Sequence, residues 1–126
     1  MKQEQLNKMI KCHQHYLNED IDEWEETQAD LSDYDLSGLN LSHKDLRYAN
    51  LNDSKFYHAD LREANLRHTD FRGADLREAD LRGADFRYAD LRGADFRYTD
   101  LREADLRDTD LREADLRKAN LLGAKN

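Results

Sequence analysis

The residues best suited to metal chemistry cluster near the start of the chain. Cys12, His13 and His15 fall within four positions. Thiolate and imidazole are zinc ligands, but structural zinc sites need about four of them, commonly supplied as two closely spaced pairs. His58 and His68 are ten residues apart and form no second pair. We therefore expect no metal site and no cofactor.

Side chains able to act as general acids and bases are abundant but undifferentiated. Asp or Glu recurs every few residues, so no carboxylate pair stands out as an acid/base couple. The sequence has no Ser/His/Asp or Cys/His signature and no glycine-rich phosphate loop. We predict that the chain has no catalytic residues and is not an enzyme.

Basic residues next to aromatic ones raise the question of nucleic acid. Tyr48, His68 and Tyr88 each follow an arginine, a pattern that can bind single strands. The net charge is −8, however, and residues 29–126 carry 17 basic against 21 acidic side chains. Nearby aspartates would repel phosphates. The simpler interpretation is that these rings lie over arginine stems, and we expect no direct nucleic-acid binding.

Composition indicates an intracellular protein. Charged residues make up 38% of the chain, and there is one cysteine, which excludes an internal disulfide and fits a reducing compartment. No apolar run is long enough for a signal peptide or a membrane span. We expect a cytoplasmic location with no membrane contact.

A period of five organises the chain from Ala29 onward. Pentads such as ADLRE, ANLRH and TDFRG place Leu or Phe at every fifth position from Leu31 to Leu121, 19 times in succession. In an α-helix a step of five rotates each leucine by about 140°, which produces no stripe. A continuous strand would need a period of two. Short extended pieces separated by turns satisfy the pattern, which indicates a solenoid.

The tandem motif A-[D/N]-[L/F]-x-x resembles the pentapeptide-repeat family over about three quarters of the chain. The resemblance implies an all-β solenoid: a right-handed quadrilateral β-helix of about five coils, with four pentads in each coil. We divide the chain into an N-terminal capping helix and connector, 1–28, and a pentapeptide-repeat β-helix, 29–126. The expected structural core is Leu51, Phe56, Leu61, Leu66, Phe71, Leu76, Leu81, Phe86, Leu91, Phe96, Leu101, Leu106, Leu111, Leu116 and Leu121.

Two further expectations concern the interior. Phe86 and Phe96 are ten residues apart, so in a four-sided coil their rings should meet across the axis. Tyr34, Leu39 and Lys44 occupy the slot that elsewhere holds a small residue. Because a lysine does not sit unpaired in a narrow apolar core, we expect a regular helix only from about Ala49.

Before the repeats, apolar residues follow a helical period. Leu6, Met9, Ile10, His13, Tyr16 and Leu17 mark one face of an amphipathic helix over about residues 3–18. This helix should cover the open N-terminal coil, whose strand edges would otherwise face water, and Trp24 should join it. A helix that binds a partner is the alternative.

The C-terminal end carries an unusual leucine. Leu122 takes the outward slot that holds arginine in the preceding coils, next to core residue Leu121. An exposed strand edge with an added leucine favours pairing with a second chain. We therefore predict self-association into a homodimer through the C-terminal coil.

For function, the sequence favours a non-enzymatic structural or protein-interaction module whose protein partner is unknown. The family resemblance adds an alternative, since some pentapeptide-repeat proteins mimic DNA and bind a type II topoisomerase, with gyrase inhibition or quinolone protection as the result. That mode requires a strongly negative face. Alternating charges would favour the interaction module.

Overall fold

The computed structural model describes residues 1–17 and 29–126. One α-helix, α1, spans Gln3–Leu17, close to the predicted 3–18. The side chains of Tyr16 and Leu17, and all of Trp24, lie outside the described part, so their predicted role in the cap stays a prediction. Within the described ranges, no helix has the length and apolar character needed to cross a bilayer.

Parallel bridges with a fixed offset of 20 residues build the rest of the chain. They run from Asp30–Asn50 to Asp105–Lys125, with one bridging residue in every pentad and no longer strand among the described residues. At one typical position the Leu51 N–H donates to the Asp70 carbonyl at 2.7 Å, and the Asp70 N–H donates to the Ala49 carbonyl at 3.1 Å. Four pentads therefore complete one coil, and each coil hydrogen-bonds to the next.

A tight turn follows each bridge. The N–H of the small residue donates to the carbonyl of the preceding core residue, as from Ala64 to Leu61 at 3.1 Å. The residue before the small one has a positive φ, 54° at Glu63 and 66° at Gly73. Residues with a Cβ pay about 1–2 kcal/mol for this left-handed conformation, which explains why glycine recurs at these corners.

The core is a filled column of leucine, phenylalanine and alanine. Leu51 to Leu101 of the expected core are fully buried, and Leu106 is 4% exposed. Leu111 and Leu116 are only partly buried, and Leu121, which we expected in the core, is 42% exposed. These three belong to the last coil of the structure, so one side of each has no coil packed against it.

Four phenylalanines form a path through this column. Ring centroids of Phe56 and Phe71 lie 5.5 Å apart, those of Phe71 and Phe86 5.6 Å, and those of Phe86 and Phe96 6.1 Å. The last pair meets edge to face at 81°, which confirms the contact across the axis that the sequence predicted.

The first coil is regular, contrary to the expectation that regularity begins near Ala49. Bridges start at Asp30, and Leu31, Leu36, Leu41 and Leu46 are fully buried. Tyr34 is 42% exposed, while Leu39 and Lys44 are partly exposed. Leu39 packs against the core cluster, and the bridges at these pentads keep the offset of 20 residues, so the larger residues do not disturb the backbone.

Helix α1 covers that edge. Leu6 and Ile10 are buried in the same core cluster, and Met9 packs against it partly buried. The Gln3 amide accepts from the Asn40 N–H at 2.7 Å and donates to the Asn40 carbonyl at 2.9 Å. These two bonds replace those that Asn40 would make with a preceding coil. Asp60, one coil later, makes the equivalent bonds with Leu39 and Leu41.

His13 fixes the same helix to the coil by a second pair of hydrogen bonds. Its side chain is fully buried, with Nε2 2.8 Å from the Arg47 carbonyl and Nδ1 3.0 Å from the Ala29 N–H. A carbonyl only accepts and an N–H only donates, so the proton of the neutral ring resides on Nε2. Burial lowers the pKa of His13, which favours this neutral form.

Candidate interaction surface

Every outward arginine except Arg67 is clamped by the aspartate two residues before it. At Arg62, Nη2 lies 2.6 Å from Asp60 Oδ2, and the backbone N–H of Arg62 donates to Asp60 Oδ1 at 3.1 Å. Nε of Arg62 also faces Asp80 of the next coil at 3.8 Å. Pairs of the same kind involve Arg47, Arg72, Arg77, Arg82, Arg87, Arg92, Arg97, Arg102, Arg107, Arg112 and Arg117.

These clamps keep the carboxylates ionised. Hydrogen bonds from the paired arginine lower the pKa of Asp105, Asp110 and Asp115 to about 2. A surface of paired opposite charges is well hydrated and offers little net field to a charged partner. Most of the surface therefore presents little net charge to a binding partner.

The four sides of the rod differ in net charge. We number them by their first pentads: side 1 begins with 29–33, side 2 with 34–38, side 3 with 39–43 and side 4 with 44–48, and each repeats every 20 residues. Side 1 has three basic against seven acidic side chains, whereas side 4 has five basic against four acidic over its four pentads. Negative charge is thus concentrated on side 1 but interrupted by arginines, and side 4 is slightly positive.

Side 4 carries a ladder of stacked rings. Tyr48 and His68 have centroids 4.9 Å apart at an interplanar angle of 5°, and His68 and Tyr88 follow at 5.0 Å and 11°. The sequence led us to expect these rings over arginine stems. They stack on one another instead, because the coil spacing of about 4.8 Å brings equivalent positions into face-to-face contact. We call this group the aromatic ladder.

Arg67, beside the ladder, has no clamp. Position 65 is Asn where the other arginine pentads have Asp, and the Asn65 side chain accepts only from the Arg67 backbone N–H, at 3.4 Å. Nε of Arg67 is buried without a hydrogen-bond partner. The substitution at position 65 was visible in the sequence, but its effect on Arg67 depends on the clamp geometry, which only the structure shows.

Side 2 has a smaller polar cluster. The Tyr57 hydroxyl donates to Glu78 at 3.2 Å, His58 lies 3.5 Å from the same carboxylate, and Arg77 approaches the Tyr57 ring at 6.0 Å. The negative charge of Glu78 raises the pKa of Tyr57. Tyr57, His58 and Arg77 each contact a neighbouring residue of this cluster, which indicates a structural role.

Metal ligands and enclosed cavities are not evident in the part of the chain that the structure describes. Residues 1–17 and 29–126 contain no group of three or more His, Cys, Asp or Glu placed to hold a metal. Cys12 is half-buried and His13 is engaged with the first coil, while the His15 side chain is outside the described part. The depressions in the described part are shallow and lie on the charged surface, such as one of about 300 Å³ between Arg72, Arg92 and Arg112.

The two leucines proposed for self-association are both accessible. Leu121 is 42% exposed and Leu122 is 72% exposed. Leu122 borders a shallow depression that also involves Arg102, Glu103 and Gly83. An apolar side chain is thus present at the end of an otherwise charged column.

The sequence and the coil geometry together identify the family. The pentapeptide-repeat profile matches residues 27–62, 59–97 and 94–125, with 8 copies. The chain belongs to the pentapeptide-repeat family. No match was found among curated proteins.

Solved structures support the same family assignment. A pentapeptide-repeat protein of the Arabidopsis thaliana thylakoid lumen is 34% identical with a TM-score of 0.61, and the match covers 78% of this chain and 65% of that one. A pentapeptide-repeat protein of Nostoc PCC 7120 is 31% identical with a TM-score of 0.58, covering 90% of this chain and 71% of that one. The chain thus spans about two thirds of the length of the Arabidopsis protein.

A third similarity is too distant to carry weight. The plasmid-mediated fluoroquinolone resistance protein QnrB1 is 21% identical with a TM-score of 0.35, and the match covers 75% of this chain and 58% of that one. Such a likeness gives no argument about function.

Proposed function

We propose that the protein is a non-enzymatic protein-interaction module that acts through the outer surface of its rod. The observation that carries the proposal is the filled interior: Leu, Phe and Ala side chains occupy the axis from Leu31 to Leu101 with almost no exposure. Enzyme and small-molecule sites are concave and partly apolar, and this column leaves no such space. What remains for function is the surface.

As the finer architecture we propose a right-handed quadrilateral β-helix of about five coils, with α1 as its N-terminal cap. The offset of 20 residues supports four pentads in each coil, and the contacts of Gln3 and His13 support the cap. A cytoplasmic location fits the single cysteine, which does not require an oxidising compartment.

Affinity capture with the immobilised full chain tests this role. A specific interaction module retains a partner that, once purified, binds the chain in a binary assay with a micromolar or lower dissociation constant. The control is a chain carrying Leu91→Arg, which disrupts the core and should retain nothing specific. If no retained protein binds in the binary assay, the interaction role is wrong.

The DNA-mimic alternative is less well supported by the surface. A mimic of duplex DNA needs a continuous negative face. Side 1 has the largest negative excess, but Arg72, Arg92 and Arg112 interrupt it, and side 4 is net positive. A gyrase supercoiling assay with and without a quinolone separates the two roles: a change in activity at micromolar protein would favour the mimic over the module.

We also propose that the chain forms a homodimer through its C-terminal coil. Leu121 and Leu122 are exposed at the end of the rod, where a second copy could cover both leucines and continue the hydrogen-bonded edge. Sedimentation velocity should show a dimer for the natural chain and a monomer for Leu122→Arg. A natural chain that sediments as a monomer at high concentration would disprove the dimer.

A further inference from the structure

Arg67 is an exception among the arginines that follow core residues. Twelve of them, Arg47 and Arg62 to Arg117 apart from Arg67, lie 2.6–2.8 Å from the aspartate two residues before. Arg67 has Asn65 at that place, and Asp85 of the next coil pairs with Arg87 at 2.6 Å. Its guanidinium therefore has an uncompensated charge within the part of the chain that the structure describes.

The surroundings of Arg67 are suited to contact with another molecule. Arg67 directly precedes His68, the middle ring of the aromatic ladder, and Tyr48 and Tyr88 on either side are 44% and 50% exposed. Because the rings stack face to face, they present their edges outward. Ring edges carry partial positive charge, and the tyrosine hydroxyls and the imidazole add hydrogen-bond donors.

We propose that Arg67 and the aromatic ladder form a docking site for an acidic segment of a protein partner. One Asp or Glu carboxylate of that segment binds the Nη groups of Arg67, since its Nε is buried, and an adjacent apolar side chain packs against the ring edges. A planar guanidinium offers a carboxylate two parallel hydrogen bonds, which gives geometric specificity. The proposal rests on the interaction role proposed above and assigns it a surface and a partner chemistry.

Ring spacing and charge both favour a carboxylate over a nucleic-acid strand. Bases stack about 3.4 Å apart, so a base between two rings needs them about 7 Å apart. The rings of the ladder are 4.9 and 5.0 Å apart, which leaves no gap. A strand would also bring several phosphates next to Asp45 and Asp85, whereas Arg67 provides a single free positive charge.

Two variants test the binding role of Arg67 separately from its contribution to the fold. Asn65→Asp restores the aspartate found in the neighbouring pentads, so Arg67 gains an internal clamp and the coil keeps its structure. Arg67→Ala removes the guanidinium itself. The matched control is Arg97→Ala, which lies on the opposite side of the rod, is clamped by Asp95 at 2.6 Å and also precedes an exposed tyrosine, Tyr98.

The probe is an acetylated and amidated Gly-Leu-Glu-Leu-Gly peptide, followed by the NMR cross-peak of the Arg67 Nε–H group. We expect saturable shifts at Arg67 and His68 with millimolar peptide, since a single carboxylate contact binds weakly. The same peptide with Gln in place of Glu should bind about tenfold more weakly or worse. Asn65→Asp and Arg67→Ala should weaken the glutamate peptide to the same degree, and Arg97→Ala should leave its binding unchanged.

Four results would overturn the site: equal binding of the Gln peptide, unchanged binding by Asn65→Asp, tighter binding of an oligothymidylate than of the glutamate peptide, or no shift with millimolar peptide. None of them bears on the capture experiment. A partner that binds the chain while these peptide tests fail would leave the interaction role intact and place its surface elsewhere.

Discussion

Replacing His13 with alanine should destabilise the protein by an amount that depends on pH. The ring donates to the Arg47 carbonyl at 2.8 Å and accepts from the Ala29 N–H at 3.0 Å, with no exposed surface. Alanine leaves both backbone groups without these partners, at about 1–3 kcal/mol for each buried group. The free energy of unfolding near neutral pH should therefore fall by about 2–6 kcal/mol.

The pH dependence follows from the direction of the His13 pKa shift. Burial lowers this pKa below 6.5; the Arg47 carbonyl and the negative charge of Asp45 oppose the shift, and the positive charge of Arg47 adds to it. Below pH 6.5 the unfolded chain binds a proton that the folded chain does not, so stability falls with a slope of up to about 1.4 kcal/mol per pH unit. The natural chain should thus lose stability on acidification, while His13→Ala should not lose this part.

Urea unfolding followed by circular dichroism, from neutral pH down to about pH 5, measures both effects. His58→Ala serves as the control, because that ring is 56% exposed at a corner of the rod. The stability difference between the natural chain and His13→Ala should be largest near neutral pH and should shrink toward pH 5. A difference below about 0.5 kcal/mol at neutral pH, or one that stays constant with pH, would refute the reasoning.

Four further outcomes are expected. Leu91→Ala should lower the free energy of unfolding by about 2–5 kcal/mol in chemical denaturation, because it opens a cavity in a filled column. Arg92→Ala, an exposed ion pair, should cost less than about 1 kcal/mol in the same measurement. Arg107→Ala should raise the pKa of Asp105 from about 2 toward 3.8, measured by carboxyl carbon NMR, since the arginine hydrogen bond is the largest cause of the shift. Gly73→Ala should be destabilising by about 1 kcal/mol or more in thermal unfolding, because φ is 66° there and the added Cβ meets an aspartate side chain. An unchanged Asp105 pKa or an unaffected Gly73→Ala melting temperature would contradict these accounts.

The repeat made most of the fold predictable. A period of five excludes a helical stripe, and a small residue paired with Leu or Phe leaves one way to bury both, so the core and the Phe86–Phe96 contact followed from the sequence. The regular first coil was not predictable from residue types alone. Whether Lys44 distorts the backbone or leaves past the edge depends on what lies before the coil, which is a three-dimensional property.

The candidate site was only partly predictable. Equivalent positions of the ladder were expected to align, but stacking of Tyr48, His68 and Tyr88 on one another depends on ring orientations that a sequence does not encode locally. The unclamped state of Arg67 depends on Asn65, which stands where the other arginine pentads have aspartate. Such a departure becomes meaningful only when the geometry of the other twelve clamps is known.

The phenylalanine path has a consequence for how the coils find their register during folding. Successive coils are so similar that a slip of one whole coil would preserve most hydrogen bonds and most charge clamps. Phe56, Phe71, Phe86 and Phe96, however, are spaced by 15, 15 and 10 residues, which does not repeat with the offset of 20. A slipped chain would bring leucines opposite these rings and leave voids in a tightly packed column. Packing of these four aromatic side chains therefore favours the native register over a register shifted by one whole coil.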